Sequence, residues 1–199
     1  MKKITDEAYI LQNDTFYQQE FKSLHCSNSV FKDKKFEECR FDNCSFIACV
    51  FDHCVFSDVV FEASILSAVQ FVSCSIMDAK FQQSKLMSID FTKLMNIHSL
   101  HFENCELEYC NFSYLKLSGM KLSTSRVEDC DFLETDLSKT DCSHSSFNNT
   151  RFFHTNLTKA NFEKSTEYEI ALDQNTVKGA TFSLPDALVL LKGFELNIK

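Results

Sequence analysis

The chain has no tryptophan, one proline and only 3 glycines in 199 residues. A layered domain of this size turns its backbone with Gly and Pro. Their scarcity excludes an ordinary loop-rich globule and requires corners made by other means. Cations are also short: 20 Lys and Arg stand against 28 Asp and Glu, a formal charge of −8. That balance argues against direct binding to nucleic-acid phosphates and suits a basic partner. No apolar run approaches the ~18 residues of a membrane span. Residues 1–7 carry two lysines with no apolar stretch behind them, unlike a secretory leader. The expectation is a cytosolic protein that does not engage membranes. The sequence also lacks G-x-S-x-G, a phosphate-binding loop and a dinucleotide fingerprint.

What is present in excess is phenylalanine (21) and cysteine (10). Both fall on a five-residue period. From Phe16 the steps read Phe16, Phe21, Cys26, Phe31, Phe36, Phe41, Phe46, Phe51, Phe56, Phe61, Leu66, Phe71, Ile76, Phe81, Leu86 and Phe91. The phase slips by one residue within 92–101. It resumes at Phe102 with Leu107, Phe112, Leu117, Leu122, Val127, Phe132, Leu137, Cys142, Phe147, Phe152, Leu157 and Phe162. Two residues before each stands a second column, mostly Cys, Ser, Thr, Ala and Val.

Period five fits neither a helix nor a strand. It fits a square coil in which each unit forms one side, with the large and the small residue both turned inward. Four sides make a coil of about 20 residues, and coils stack at strand spacing, about 4.8 Å. One unit cannot bury its own apolar face, so its neighbours do. The fold class is therefore an all-β solenoid, a right-handed quadrilateral β-helix. The 29 units amount to about seven coils and a rod of about 35 Å. Residues 1–13 read as an N-terminal cap, 14–163 as the coil, and 164–199 as a C-terminal cap.

Eight cysteines (39, 44, 49, 54, 74, 105, 110 and 130) fall in the small column, and Cys26 and Cys142 in the large one. Core packing of reduced thiols follows. No C-x-x-C pair offers a zinc site, and cysteines five apart lie on successive sides of the coil, out of disulfide reach. His98 and His101 form an H-x-x-H at the phase slip but lack further ligands, so they read as loop residues and no metal or cofactor is expected. His144 and His154 sit among Ser and Thr, yet a convex rod has no cleft in which a triad could converge. The chain is not expected to be an enzyme.

The candidate binding residues are outward acids. Residues one coil apart lie above one another, so Glu38, Asp58 and Asp78 form one row, and Asp42 and Glu62 another that Glu103 extends across the slip. Asp131 and Glu134, with Asp129, Asp136 and Asp141, form a dense acidic run. Stacked acids read either as a solvated exterior or as an imitation of the phosphate rails of a duplex, which carries one charge per about 1.7 Å of axis.

At the C-terminus, Ser183 followed by Asp186 resembles a capping box, Pro185 suits a first helical turn, and Gly193 suits a helix stop. Leu184, Leu188 and Leu191 form an apolar stripe, followed by Phe194 and Leu196 in an alternating tail. This exceeds what a cap needs, and these five residues are the candidate homodimer interface.

The repeat over 14–163 resembles the pentapeptide-repeat family. The length, the single mid-rod slip and the closing segment from Phe182 to Ala187, with Leu190 and Leu191 following, are similar to its albicidin-resistance branch. The Qnr, mycobacterial and microcin-immunity branches are more distant. Qnr members of Gram-negative bacteria interrupt the rod with long loops, and this sequence resembles the loop-poor members. The resemblance implies acidic rods that dimerise head to head through the C-terminal helix. It also implies that they occupy the place of a DNA segment on DNA gyrase or topoisomerase IV, either protecting that enzyme from an inhibitor or toxin or inhibiting it. The alternative is a scaffold solenoid for another protein.

Overall fold

The computed structural model describes residues 2–194. The chain winds as a β-helix whose sides are short parallel strands, typically three residues with the middle one buried, as in Lys35–Glu37 or Val50–Asp52. Register follows the coil: Phe16 pairs with Phe36, Phe36 with Phe56, and Phe56 with Ile76. We call this side one. Side two runs Phe21, Phe41, Phe61, Phe81, Phe102, Leu122. Side three passes through Cys26, Phe46 and Leu66, and side four through Phe31, Phe51 and Phe71.

The inward rings stack within a side and meet edge-on across corners. On side two, Phe21–Phe41, Phe41–Phe61 and Phe61–Phe81 have centroids 4.8, 4.5 and 4.9 Å apart and interplanar angles of 11°, 8° and 7°. Phe51 meets Phe56 across a corner at 5.2 Å and 78°. Both arrangements suit aromatic quadrupoles. Every residue of the two large columns is buried.

Corners are made almost entirely without glycine. Among the described residues, 28 non-glycine residues have φ between 47° and 65°, nearly all two positions after the inward residue, such as Ala48, Ala63 and Thr124. The left-handed conformation costs an L-residue roughly 1–2 kcal/mol, so the stacked core and ladder must outweigh a strain repeated at each corner. Gly119 and Gly179 occupy the same corner position, with φ of 75° and 69°.

The small column does more than fill space. Ser64 Oγ donates to the carbonyl of Phe41 (3.2 Å) or Glu62 (2.9 Å) and accepts from the Cys44 N–H at 3.0 Å; the Ser64 N–H in turn donates to Ser84 Oγ at 3.0 Å. Cys74 Sγ accepts from the Cys54 N–H, and Ser145 Oγ from the Ser125 N–H. A buried corner N–H needs a partner, and Cys and Ser are small enough to fit while carrying one. All ten cysteines are buried and unbridged.

Two features differ from the sequence reading, the number of turns and the C-terminal helix, and the slip is located more closely within 92–101. The coil runs about nine turns rather than seven, a rod of about 40 Å, because it extends at both ends: Lys2–Ile4 pairs with Gln19–Lys22, and beyond 163 Asn156 bridges Thr176 and Phe162 pairs with Phe182, their rings 5.1 Å apart. The sequence hid the last turn because its register shortens locally. Arg151 stands opposite Glu169, short of a full coil, while Tyr168 and Ile170 take the buried places. The slip lies before Ile97, which pairs with Ile76, one step more than a full coil; a short 3-10 turn, Phe91–Lys93, capped by Asp90, absorbs the extra residue. The C-terminal helix, Asp186–Phe194, is 3-10 rather than α, and Ser183 Oγ accepts from the Lys164 N–H instead of capping it.

The N-terminus closes the first coil. Lys2–Ile4 pairs with Gln19–Lys22, and the helix Glu7–Gln12 buries Ile10. Lys34, the odd member of the small column, is buried and donates to the carbonyls of Leu11 and Asn13 and to Asp14 Oδ1 at 2.8 Å, tying the cap to the rod.

Replacing Ser64 by Ala strands the Cys44 N–H and should destabilise by about 1–3 kcal/mol in chemical denaturation, whereas Ser64→Cys, which keeps a small polarisable partner, should cost less. Burial pushes the thiols of Cys44 and Cys105 up to about 11 and that of Cys26 to about 12. With folded values above the unfolded 9.0, the folded state retains protons that the unfolded state releases. The stability involved is therefore complete below about pH 9 and should fall progressively as pH rises through 11–12. Denaturation midpoints across pH 8–12 measure this, and thiol labelling at pH 8 should stay slow until the protein is unfolded.

Candidate partner-binding surface

The polar residues flanking each inward residue, together with the corner residue, form the exterior. Both acid rows exist as stacks. Glu38, Asp58 and Asp78 occupy successive corners between sides one and two, fixed by the Glu37–Ser57–Met77 register. Asp42, Glu62, Gln82 and Glu103 line up on side two.

The two rows differ in electrostatic state. On side two each acid of the row has a cation from a neighbouring turn: Lys22 Nζ lies 2.7 Å from Asp42, Lys121 Nζ 3.3 Å from Glu103, and Arg40 pairs with Glu62. The Lys22 ammonium holds the Asp42 carboxyl below its usual range. Side two is a zipper of alternating charge, not a bare anionic rail. At the corner, Glu38 accepts from Gln18 Nε2 at 2.7 Å, and among the described residues no cation pairs with Glu38, Asp58 or Asp78.

The acids near residue 131 do not form one patch. Consecutive repeat units occupy consecutive sides, so Asp129, Asp131, Glu134, Asp136 and Asp141 wrap around the coil. Asp131 is held by Arg151, with Nη2 donating at 2.8 Å. Asp136 Oδ1 accepts from the Ser138 N–H and Asn156 Nδ2, and Asp141 Oδ1 from the Ser143 N–H and Asn161 Nδ2. These two acids serve their own turns. Glu134 is exposed at a corner, and no described cation pairs with it.

Sequence reasoning missed the cation partners, although the signal was present: Lys22 precedes Asp42, and Arg151 follows Asp131, by the same full-coil offset that stacks the acids. His101, expected in a loop, sits in a strand. Its Nδ1 accepts from the Lys121 N–H at 3.1 Å and its Nε2 meets Ser99 Oγ at 2.9 Å. Burial, with Lys121 and Lys80 nearby, lowers its pKa.

At the C-terminal end, Leu184 is 76% exposed, Phe194 54% and Leu188 44%, while Leu191 is half-buried. Three residues per turn place Leu188, Leu191 and Phe194 along one side of the 3-10 helix, and Val189 and Leu190 pack against the core. Leu196 lies outside the described residues. A cleft of about 490 Å³ opens between this helix and the last turns, lined among others by Phe153, Ile170, Leu172 and Leu190. No helix among the described residues is long and apolar enough to cross a membrane.

No curated protein sequence matches the chain. Among solved structures it is similar to full-length QnrB1, described as a plasmid-mediated fluoroquinolone resistance protein, at 17% identity and a TM-score of 0.69, covering 98% of this chain and 95% of that one. A trypsin-treated QnrB1 variant matches at 19% identity and 0.68 over 100% and 96% of the two chains. At these identities the likeness concerns the fold. Two sequence-family models match, the pentapeptide repeat region over residues 34–112 and pentapeptide repeats, in 8 copies, over 130–166. Together they span more than half of the chain and coincide with its run of five-residue units, and the chain accordingly belongs to the pentapeptide-repeat family.

Proposed function

We propose that this protein is a DNA-mimicking rod that binds a type II topoisomerase, DNA gyrase or topoisomerase IV, in the cytosol. Binding there would confer resistance or self-immunity to an inhibitor of that enzyme. The observation that carries the reading is the unpaired corner row Glu38–Asp58–Asp78. These carboxylates are stacked at strand spacing, held by a stiff core, and free to meet cations of a partner. A surface built to accept a charged rod recognises regularly spaced negative charge on a narrow edge. The structural likeness to QnrB1, whose description names fluoroquinolone resistance, supports the same reading. The homodimer interface is assigned to Leu184, Leu188, Leu191 and Phe194, because large apolar side chains grouped at a rod end favour a self-complementary contact.

A second reading rests on a different surface. Val30, Ile47, Ile65 and Val72 are exposed on sides three and four, away from the acid row. Exposed apolar side chains of this kind, interspersed with Lys32, Asp52 and Lys85, suit a protein partner other than a DNA-binding cleft, and the rod would then be a scaffold.

Supercoiling by purified gyrase, titrated with the rod in the presence and absence of albicidin or a fluoroquinolone, tests the first reading. Rescue or inhibition supports it, while neither effect at micromolar rod, with no binding, rejects it. Asp58→Lys should weaken that effect at least tenfold with an unchanged melting temperature. Asp42→Lys should lower the melting temperature, because it places a second cation against Lys22. Replacing Leu188 and Leu191 with Glu should give a monomeric mass by light scattering, and an unchanged mass would refute the C-terminal interface.

A further inference from the structure

Side one changes sign halfway along the rod. Counting turns from Phe16, the second to fourth turns display Lys35, Glu37, Glu38, Asp58 and Asp78, a net charge of −3. The sixth to ninth turns display Lys116, Asp136, Lys139, Lys159 and Lys178, a net charge of +3. Between them the fifth turn, with Asn96, His98 and Ser99, carries no formal charge. Lys116, Lys139, Lys159 and Lys178 are exposed, and among the described residues none is in an ion pair. Asp136, the one acid among them, is occupied by Ser138 and Asn156. Stacked like charges oppose the fold, yet here they are grouped by sign instead of being interleaved as on side two.

The grouping has a symmetry. Glu38 lies in the second turn and Lys159 in the eighth, Asp58 in the third and Lys139 in the seventh. Each pair is centred on the fifth turn. All four residues stand at the same corner position, with φ of 51°, 59°, 51° and 59° in that order. A second rod laid antiparallel along this side, about a two-fold axis through the fifth turn, brings Glu38 against Lys159 of the second copy and Asp58 against its Lys139. The axis then repeats both contacts. A parallel arrangement sets like against like.

We propose that side one is a self-association surface on which a second copy of this chain docks antiparallel, separate from the C-terminal contact and competing with a topoisomerase for Glu38 and Asp58. Exposed ion pairs are individually weak and are screened by salt. The pairing is therefore a low-affinity association that strengthens as ionic strength falls.

Within one rod, Glu38 and Lys159 are six turns or about 29 Å apart, and Asp58 and Lys139 four turns or about 19 Å. A zero-length carbodiimide crosslink between either pair can only join two copies. Full-length protein in about 20 mM salt should give Glu38–Lys159 and Asp58–Lys139 crosslinks by mass spectrometry, reduced at least tenfold in about 500 mM salt. Glu38→Lys with Asp58→Lys should lose them, as should Lys139→Glu with Lys159→Glu. Mixing the two reversed variants should restore crosslinking between positions 38 and 159 and between 58 and 139. An end-to-end dimer through Leu188 predicts none of these links. The proposal is overturned if the wild-type protein yields neither crosslink at low salt, if the links persist in high salt, or if the mixed variants fail to recover them.

Discussion

The structure depends on the inward stacking of one large apolar residue per repeat unit. Each Phe or Leu is covered above and below by its counterparts one coil away, and on its flanks by rings meeting it edge-on across the corners. This one interaction sets the coil length, holds the parallel ladders in register and offsets the strain of 28 left-handed corners. Where the column weakens, the structure compensates locally. At Cys142, where an inward ring is missing, Phe147, Phe152 and Phe162 close around the axis instead.

The second constraint is hydrogen bonding at the corners. Where the small column holds Ser or Cys, as at Ser64, Cys74, Ser125 and Ser145, the side chain accepts the corner N–H of the turn before, while corners such as Thr140 and Thr150 bond within their own turn. A composition that could pass for a redox or metal-binding signature is therefore a packing requirement. The small-column thiols lie against carbonyls at 3.1–3.7 Å, and burial pushes those of Cys44 and Cys105 up. With core and corners both satisfied from within, the exterior is left free to vary. Side two uses that freedom to neutralise itself, and side one separates its charges by sign. The same backbone thus presents two electrostatic surfaces, and only the one left uncompensated is available to a partner.

Much of the architecture was legible in advance because a solenoid is nearly one-dimensional. Contacts lie at a fixed sequence offset, so a period read along the chain is a map of neighbours in space. That is why the stacking of Glu38 on Asp58 and the burial of Cys39 through Cys130 followed from counting alone. Counting fails where the offset changes. The shortened register near Tyr168 conceals a full turn, and the extra residue before Ile97 can be placed from the sequence only within 92–101. It fails again where side-chain reach, not backbone position, matters. Arg40 crosses to Glu62, overshooting the residue stacked on it, and Lys121 returns to Glu103, falling short of its own stacking partner.

By itself, then, the sequence determined the repeat, the identity of the core and the stacking of the acid rows, since each depends on periodicity alone. Only the tertiary structure decided which acids are free. Neutralisation depends on whether a flexible Lys or Arg on an adjacent turn can reach across a strand spacing: Lys22 reaches Asp42 on its strand, and no described cation reaches Asp58 at its corner.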